Sequence, residues 1–448
     1  MAILPRNLNV IRFGHYVQDE ADADPKPIEW IVLDKTGEEA LLISKYILDS
    51  FPIDKGTDLK SYQYSWPNSE LRKWLNSKFK KIAFNNKEKK MIVPTDLITE
   101  SYNGTETLYQ ATSDDVFLMT VRELKQYFKK TAYLLSGKST KYARHNMEPI
   151  GTLHWVNSYW TRSKAVPNEH HWMTLVGDIF CVDNDGSIKC MAFNSFLGIR
   201  PALHINLELW CKENKVDIKQ IVPAKTKNAL KDIAIQIQEE YLGLKTVLFG
   251  NYYQDVTDKA KKPIEWFVLK EQDGKALLLS KKILDCKPYS TKDLWEGIPD
   301  WKHAGLNEWL NNEFLNETFS TEEQEAIILS DVAEVGSADG RDLLNYSSTA
   351  RLFLMSFGEI SSILRNAEDR MAAGTAYAAA KYAKSGIFMP WYLRTCPASG
   401  GKDYLSFVYP KIVGGIDQKG FMLPYVKTNL DCGVGIRPAM WVTSSAVQ

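Results

Sequence analysis

The stretch Gly198-Ile199-Arg200-Pro201-Ala202-Leu203 decides how this chain is organised, because it returns as Gly435-Ile436-Arg437-Pro438-Ala439-Met440. Each copy closes a long block of sequence, and the two blocks carry the same motifs in the same order. The other repeated motifs are Phe13-Gly14 with Phe249-Gly250, Pro27-Ile28-Glu29-Trp30 with Pro263-Ile264-Glu265-Trp266, and Ala40–Ser50 with Ala276–Cys286. One period of about 236 residues is far longer than a solenoid unit, so the sequence predicts a duplicated domain.

The composition is typical of a soluble globular protein with more than one domain. The chain has 448 residues, of which 44% are hydrophobic and 25% are charged, and a single core of that size is uncommon. Its 55 basic and 55 acidic residues cancel, which argues against general binding of nucleic acid or of an anionic membrane surface. No apolar run approaches the ~20 residues of a membrane helix, so no membrane insertion is expected.

Three segments follow from the repeat. We predict a first repeat domain over residues 1–210, a linker over 211–245 and a second repeat domain over 246–448. The linker begins with a polar stretch that contains Pro223, and it continues into an amphipathic helix whose apolar positions recur at helical spacing. Those positions are Leu230, Ile233, Ala234, Ile237 and Tyr241.

Within each copy, strand and helix signals alternate, which predicts an α+β fold. Short apolar runs lie on either side of turn residues such as Asp273-Gly274, a strong hairpin signal. A helix with an apolar stripe follows, and either Asn68 or Ser69 is a candidate for its N-cap. Two later helices begin alike, because Thr120 precedes Glu123 as Ser356 precedes Glu359, in the pattern of a capping box.

Two arginine motifs end each copy, and both allow two interpretations. The first is Tyr159–Ser163 with Trp391–Thr395, and the second contains Arg200 and Arg437. An arginine beside aromatic rings can bind a carboxylate or a phosphate. Alternatively, it braces loops by bonding backbone carbonyls, or it pairs with Glu29 or Glu265. Because a motif kept in both halves is more easily a requirement of the fold, we assign a structural role to Glu29, Trp30, Arg200, Glu265, Trp266 and Arg437.

The region from His154 to Trp172 is the richest in polar and aromatic residues, and we predict that it faces a ligand. Its histidines have irregular spacing and no counterparts in the second copy, so no metal site is predicted. The candidate ligand-binding residues are Trp155, Asn157, Tyr159, Trp160, Arg162, His171, Trp172, Trp391 and Arg394.

The remaining motifs suggest neither a metal nor a cofactor. The segment Asp183–Ser187 resembles the start of a calcium loop, but Asn194 stands where the final acidic ligand is required. We predict a hairpin with Asp185-Gly186 at its tip, which places Cys181 opposite Cys190. These cysteines then form either a disulfide or two reduced thiols. The start of the chain lacks the apolar segment of a secretory signal, so the cytoplasm is the default location and a surface or secreted location stays open.

Taken in order, the repeated motifs resemble an uncharacterised bacterial domain family that occurs in surface proteins and multidomain proteins. The aromatic-x-Arg segment followed by a Gly-x-Arg strand is also similar to the formylglycine-generating-enzyme-like branch of the C-type lectin fold. That resemblance implies two compact domains with short strands, two to three helices and long loops. The enzymes of that branch use reactive cysteines, and here Cys396 and Cys432 do not match their pattern.

These observations favour a non-enzymatic recognition protein, whose two lectin-like modules bind a glycan, a peptide or a protein through loop aromatics. One alternative is an enzyme of the formylglycine-generating type, or another oxidoreductase, that uses Cys396 or Cys432. The other alternative is a structural or assembly component.

Overall fold

The structure is a computed structural model with two compact units, Met1–Ile237 and Gln238–Gln448. Both units mix helices with strands, which confirms the predicted α+β class. In the part of the chain that is described, no helix is both long enough and apolar enough to cross a membrane. The residues described are 8–19, 23–56, 65–99, 110–128, 132–147, 157–164, 178–184, 186–258, 260–289, 301–333, 347–382, 387–395, 412–419, 421–427 and 434–447.

The described residues of the first unit form twelve strands. They are β1 Val10–Tyr16, β2 Lys26–Thr36, β3 Glu39–Ser44, β4 Asp49–Phe51, β5 Ile92–Val93, β6 Thr95–Thr99, β7 Gln110–Asp114, β8 Tyr159–Lys164, β9 Asp178–Val182, β10 Ile188–Ala192, β11 Leu197–Ile199 and β12 Ala202–Asn206. Its helices are α1 Glu70–Trp74, α2 Lys80–Ala83, α3 Asn86–Lys89, α4 Val121–Phe128, α5 Ala132–Ser136, α6 Lys141–Met147, α7 Leu207–Asn214 and α8 Lys227–Leu242, the last of which crosses the unit boundary. A π-helical turn, Leu75–Phe79, joins α1 to α2, and the 3₁₀ turns are Trp66–Asn68 and Ile218–Gln220.

The second unit repeats most of these elements. Its strands are β13 Thr246–Tyr253, β14 Lys261–Gln272, β15 Lys275–Ser280, β16 Asp285–Lys287, β17 Ser330–Ala333, β18 Ser347–Ala350, β19 Trp391–Tyr392, β20 Ile412–Ile416, β21 Met422–Lys427, β22 Val434–Ile436 and β23 Ala439–Thr443. Its helices are α9 Gly305–Trp309, α10 Leu315–Thr318, α11 Thr321–Ala326, α12 Phe357–Ile363, α13 Ala367–Arg370 and α14 Ala376–Lys381, with a π-helical turn at Leu310–Phe314 and a 3₁₀ turn at Ser444–Val447.

The sheets of the two units correspond in strand order, except that β5 has no counterpart in the four-stranded sheet of the second unit. In the first unit the strand orders are β1-β2-β3-β12-β5 and β10-β9-β8-β11-β4, and in the second they are β13-β14-β15-β23 and β21-β20-β19-β22-β16. Most pairs are antiparallel, but β11 lies parallel to β8 and β22 lies parallel to β19. The Arg-Pro step that follows β11 and β22 therefore carries the chain from one sheet of its unit to the other.

The local signals in the sequence are confirmed. Asp273 and Gly274 have φ values of 49° and 70° and form the two-residue turn between β14 and β15, as a type I′ hairpin requires. The predicted capping boxes are present, because the Glu123 N–H donates to Thr120 Oγ1 at 3.2 Å and the Thr120 N–H donates to Glu123 Oε2 at 2.7 Å. Ser356 and Glu359 make the same two bonds.

The polar stretch between the copies carries structure of its own. Helix α7 fills its first part, and the segment that follows lies along the start of β1. There the Leu8 N–H donates to Gln220 O at 2.7 Å, and the Val222 N–H donates to Leu8 O at 3.1 Å. Four of the five predicted apolar positions of α8 are buried, and the side chain of the fifth, Tyr241, is outside the described residues.

The predicted register of the β9–β10 hairpin is wrong by one residue. Cys181 lies opposite Lys189, and Cys190 lies opposite Phe180. The reason is the turn, in which the Gly186 N–H bonds to Asp183 O and Gly186 adopts a φ of 81°. A left-handed glycine after such a turn makes a bulge that shifts the pairing. Because neighbouring residues of a strand point to opposite faces, the two cysteines do not face each other, and both are thiols in this structure.

Candidate functional site

The arginine of the first motif lies in a buried ion pair. Arg162 is 1% exposed, and its two terminal nitrogens donate to the two carboxylate oxygens of Glu123 at 2.6 and 2.7 Å. It also donates to Leu118 O at 2.5 Å. Burial alone would raise the pKa of Glu123, but the charge of Arg162 and its hydrogen bonds lower the pKa below its ordinary value. Glu123 is also the capping residue of α4, so one carboxylate ties strand β8 to the start of a helix.

The second unit contains the same clamp. Arg394 donates to the two carboxylate oxygens of Glu359 at 2.7 and 2.8 Å and to Leu354 O at 2.6 Å. Burial again acts to raise the pKa of Glu359, and Arg394 reverses the effect, so the pKa is lowered. Both arginines therefore bind a carboxylate of the chain itself, and that carboxylate belongs to neither Glu29 nor Glu265.

The arginines of the closing motif are also buried, and they brace the backbone. Arg200 donates from Nε to Ser44 O at 3.0 Å and from Nη1 to Leu134 O at 2.7 Å. Arg437 donates from Nε to Ser280 O at 2.7 Å, and burial lowers its pKa to about 9. Its guanidinium lies over the Trp391 ring at 5.0 Å, where a cation is attracted to the ring face.

The glycine of the closing motif is required by close packing. A Cβ atom on Gly198 would lie 2.8 Å from Ser158 O, and one on Gly435 would lie 2.6 Å from Pro390 O. The N–H groups of these glycines donate to the same two oxygens, at 2.9 and 3.0 Å. The glycine of the motif therefore allows the close approach of β11 to β8 and of β22 to β19, the parallel strand pair of each unit.

The glutamates of the Pro-Ile-Glu-Trp motif pair with lysines and not with the closing arginines. Glu29 Oε2 lies 2.8 Å from the ammonium of Lys45, whose side chain is fully buried. Lys281 lies 3.4 Å from Glu265 and 2.9 Å from Glu239. Sequence reasoning missed both lysines, although they occupy the same position of a repeated motif. The adjacent tryptophans, Trp30 and Trp266, are buried, and each indole donates at 2.7 Å to the carbonyl oxygen of Phe13 or Phe249.

Each unit also contains a buried tyrosine–aspartate centre that sequence reasoning missed. In the first unit Tyr16 Oη donates to Asp49 Oδ2 at 2.5 Å, and Asn146 Nδ2 donates to Asp49 Oδ1 at 2.8 Å. Burial raises the pKa of Asp49, and its hydrogen bonds offset only part of that effect. The only signal in the sequence was that the tyrosine and the aspartate recur in both copies.

In the second unit Tyr252 Oη donates to Asp285 Oδ2 at 2.9 Å, and Lys381 takes the place of the asparagine at 2.6 Å from Asp285 Oδ1. Burial acts to lower the pKa of Lys381, but its bond to Asp285 reverses the effect and the pKa is raised. The ammonium also lies 4.1 Å from the centre of the Tyr377 ring.

The candidate ligand-binding residues that the structure describes are all buried, and their side chains bond to other groups of the chain. Asn157 Oδ1 accepts from the Ser139 N–H at 2.9 Å, and Tyr159 Oη donates to Leu135 O at 2.7 Å. Trp160 Nε1 donates to Phe51 O at 2.9 Å, and Trp391 Nε1 donates to Arg370 O at 3.1 Å. Trp155, His171 and Trp172 lie outside the described residues.

Some of the residues considered for metal or thiol chemistry are described by the structure, and others lie outside the described residues. Within the described ranges, no group of three or more His, Cys, Asp or Glu side chains is arranged to hold a metal ion. Burial raises the pKa of the Cys181 thiol to about 12, which suppresses the reactive thiolate. Cys396 and Cys432 lie outside the described residues.

Two α+β units that share buried arginine clamps, braced closing strands and tyrosine–aspartate centres define a tandem-domain protein. A family profile described as a domain of unknown function, DUF6273, matches residues 37–207 and 273–444. The chain therefore belongs to that family and carries two copies of its domain. No curated protein and no solved structure matches the chain.

Proposed function

We propose that this chain is a non-enzymatic recognition protein, in which two copies of one scaffold present different loops to a glycan, peptide or protein ligand. The observation that supports this most is the duplication of the buried contacts. Arg162 and Arg394 clamp their glutamates with the same geometry, and Trp30 and Trp266 make the same bond. The repeated motifs are thus accounted for by the fold, which leaves recognition to the segments that differ.

The segments that differ most clearly adjoin β8. Residues 148–156 precede β8 in the sequence, and residues 165–177 follow it. These two segments contain Trp155, His171 and Trp172. The second copy has no comparable set of aromatic and histidine residues. Tryptophan and tyrosine dominate binding hot spots, so these segments are the proposed ligand-contacting part of the first domain.

We extend the proposal to a C-type-lectin-like fold. It is supported by the short strands, by the long connections and by the way in which β11 and β12 follow each other but belong to different sheets. Such a scaffold supports variable loops on a fixed frame, as binding modules require.

A glycan array and a peptide and protein array test the function. The full chain is compared with a variant that carries Trp155→Ala and Trp172→Ala, and with a control variant, Phe196→Ala, which removes an aromatic ring that is 42% exposed in the same domain. We expect the double variant to lose the array signals while its unfolding midpoint stays unchanged, and the control to keep them. Retention of every signal by the double variant contradicts the assignment of these loops.

A further inference from the structure

The first unit contains a groove that the proposed loops do not account for. Its volume is about 980 Å³, and it lies between β1, α7 and the first half of α8. That volume is at the upper end of the range for ligand sites, about 300–1,000 Å³. Its lining combines apolar side chains, such as those of Ile11, Val216 and Ile233, with the charged side chains of Arg12 and Asp232.

The floor of the groove is the outer edge of a sheet. Strand β1 is the terminal strand of its sheet and pairs only with β2. Leu8 bonds outward to the segment Gln220–Val222, and Arg12 O accepts outward from Trp210 Nε1 at 3.1 Å. Alternate residues of an edge strand direct their N–H and C=O groups to the same side. The backbone N–H and C=O groups of Val10 therefore point into the groove. Among the described residues, none bonds to Val10 on this edge.

The charged side chains that line the groove are Arg12 and Glu29 on the side of the sheet and Asp232 on α8. The Arg12 side chain is 73% exposed and is oriented by two bonds to Glu29 Oε1, at 3.3 and 3.4 Å. Glu29 is fixed in turn by the buried ammonium of Lys45. Asp232 is exposed on α8 and forms no ion pair with any described residue. Donor groups that are held in place bind a ligand with less loss of entropy.

These features suit a peptide better than a sugar. The Trp210 side chain is buried, at 5% exposure, so its ring face is not available to stack on a saccharide. The Val10 pair offers one donor and one acceptor, which match one amide unit of an extended peptide. A carboxylate matches Arg12 and an ammonium matches Asp232.

We propose that this groove binds a short peptide with both termini free. The peptide lies against the edge of β1, its backbone bonds to Val10, its C-terminal carboxylate bonds to Arg12 and its N-terminal ammonium faces Asp232. The site belongs to the first domain, because Leu248 occupies in the second unit the register position of Arg12, opposite Glu265, and is 63% exposed.

The test uses the full chain and affinity selection with mass spectrometry. The probe is a library of unmodified tripeptides, and the same library is also offered with acetylated N-termini and with amidated C-termini. We expect the unmodified library to yield ligands, and we expect blocking of either terminus to weaken binding about tenfold, which corresponds to the loss of one charge-assisted contact. A set of linear oligosaccharides serves as the competing ligand class.

Two variants assign the termini. Arg12→Gln is expected to lose the preference for a free carboxylate only, and Asp232→Asn the preference for a free ammonium only. Asp96→Asn, at an exposed aspartate outside the groove, is the matched control, and unfolding midpoints verify that each variant folds. Absence of tripeptide ligands at millimolar concentration, equal binding of the blocked libraries to the unsubstituted protein, or displacement of the bound tripeptides by the oligosaccharides overturns the proposal. Array signals that depend on Trp155 and Trp172 concern the other site, so the failure of either proposal leaves the other standing.

Discussion

The two domains hold a buried tyrosine–aspartate pair at the same position and complete it differently. Asp49 accepts from the neutral amide of Asn146, whereas Asp285 accepts from the ammonium of Lys381. The tyrosine bonds are alike in both domains. The scaffold therefore fixes where the carboxylate lies, and one residue on the neighbouring helix decides whether it has a counter-charge.

The difference shows which features the fold requires and which it tolerates. The arginine clamps, the closing glycines and the tryptophan bonds recur without change, so we interpret them as requirements of the fold. The partner of the aspartate, the groove beside β1 and the aromatic segments vary, so they are free to acquire separate roles. The first three predictions compare the same change in both domains, and the fourth concerns the first domain alone.

The largest effect is expected from the clamps. Arg162→Met or Arg394→Met leaves a partly buried glutamate without its partner, which costs about 3 kcal/mol of the free energy of unfolding of the domain concerned. The losses should be similar, because the two clamps have the same geometry. Urea unfolding followed by fluorescence and circular dichroism measures each domain's transition. A loss in one domain only would show that the clamps are not equivalent.

The aspartates should respond unequally to removal of their charge. Asp285→Asn leaves the Lys381 ammonium against a neutral side chain, at a cost of about 2 kcal/mol after allowance for the partial exposure of the lysine. Asp49→Asn should cost less than about 1 kcal/mol, because Asn146 and the new amide can still bond. The same urea experiment measures both values. Equal losses contradict the assignment of an ion pair to the second domain alone.

The losses in the free energy of unfolding caused by substituting the two closing arginines should differ by about 1–2 kcal/mol. Arg200→Met removes bonds to two backbone carbonyls, whereas Arg437→Met removes one such bond and a costly buried charge. We therefore expect Arg200→Met to be the more destabilising change. Thermal unfolding of the two variants checks the order, and a larger loss for Arg437→Met reverses the interpretation.

The smallest effect is a dependence on pH in the first domain. Burial raises the pKa of Asp49 above its ordinary value of 3.8, so the folded state binds this proton more tightly than the unfolded state. The contribution of this bound proton to the free energy of unfolding is therefore complete below pH 3.8. It is lost as the pH rises through the pKa of Asp49 in the folded state. The free energy of unfolding of the wild type minus that of Asp49→Asn should fall as the pH rises above 3.8. A difference that rises with pH contradicts the raised pKa of Asp49.

Local features were predictable from the sequence because their causes are local. The Asp273-Gly274 turn requires positive φ at two neighbouring residues, and a capping box joins residues three positions apart. The predicted register of the hairpin at Gly186 is wrong by one residue. The dipeptide signal does not distinguish a two-residue turn from one that ends in a bulged glycine.

Long-range partners were not predictable, since spacing carries no information about them. Glu123 was recognised as a capping residue, but its bond to Arg162 depends on where β8 packs against α4. Asp49 and Tyr16 lie on strands of different sheets. The aromatic and arginine residues of β8 were predicted at a ligand surface, and the structure places Tyr159, Trp160 and Arg162 in the interior. An alternating strand with two buried faces has the same composition as a binding segment.

The central claim is that the motifs shared by the two copies hold the fold and that the unshared segments recognise the ligand. One crossed measurement tests it most directly: array binding and unfolding midpoint, recorded together for Arg162→Lys and for the Trp155→Ala, Trp172→Ala variant. We expect the lysine variant to have a lower midpoint but to keep the array signals below its unfolding transition, and the tryptophan variant to keep its midpoint but lose the signals. An unchanged midpoint with lost signals for Arg162→Lys would contradict it.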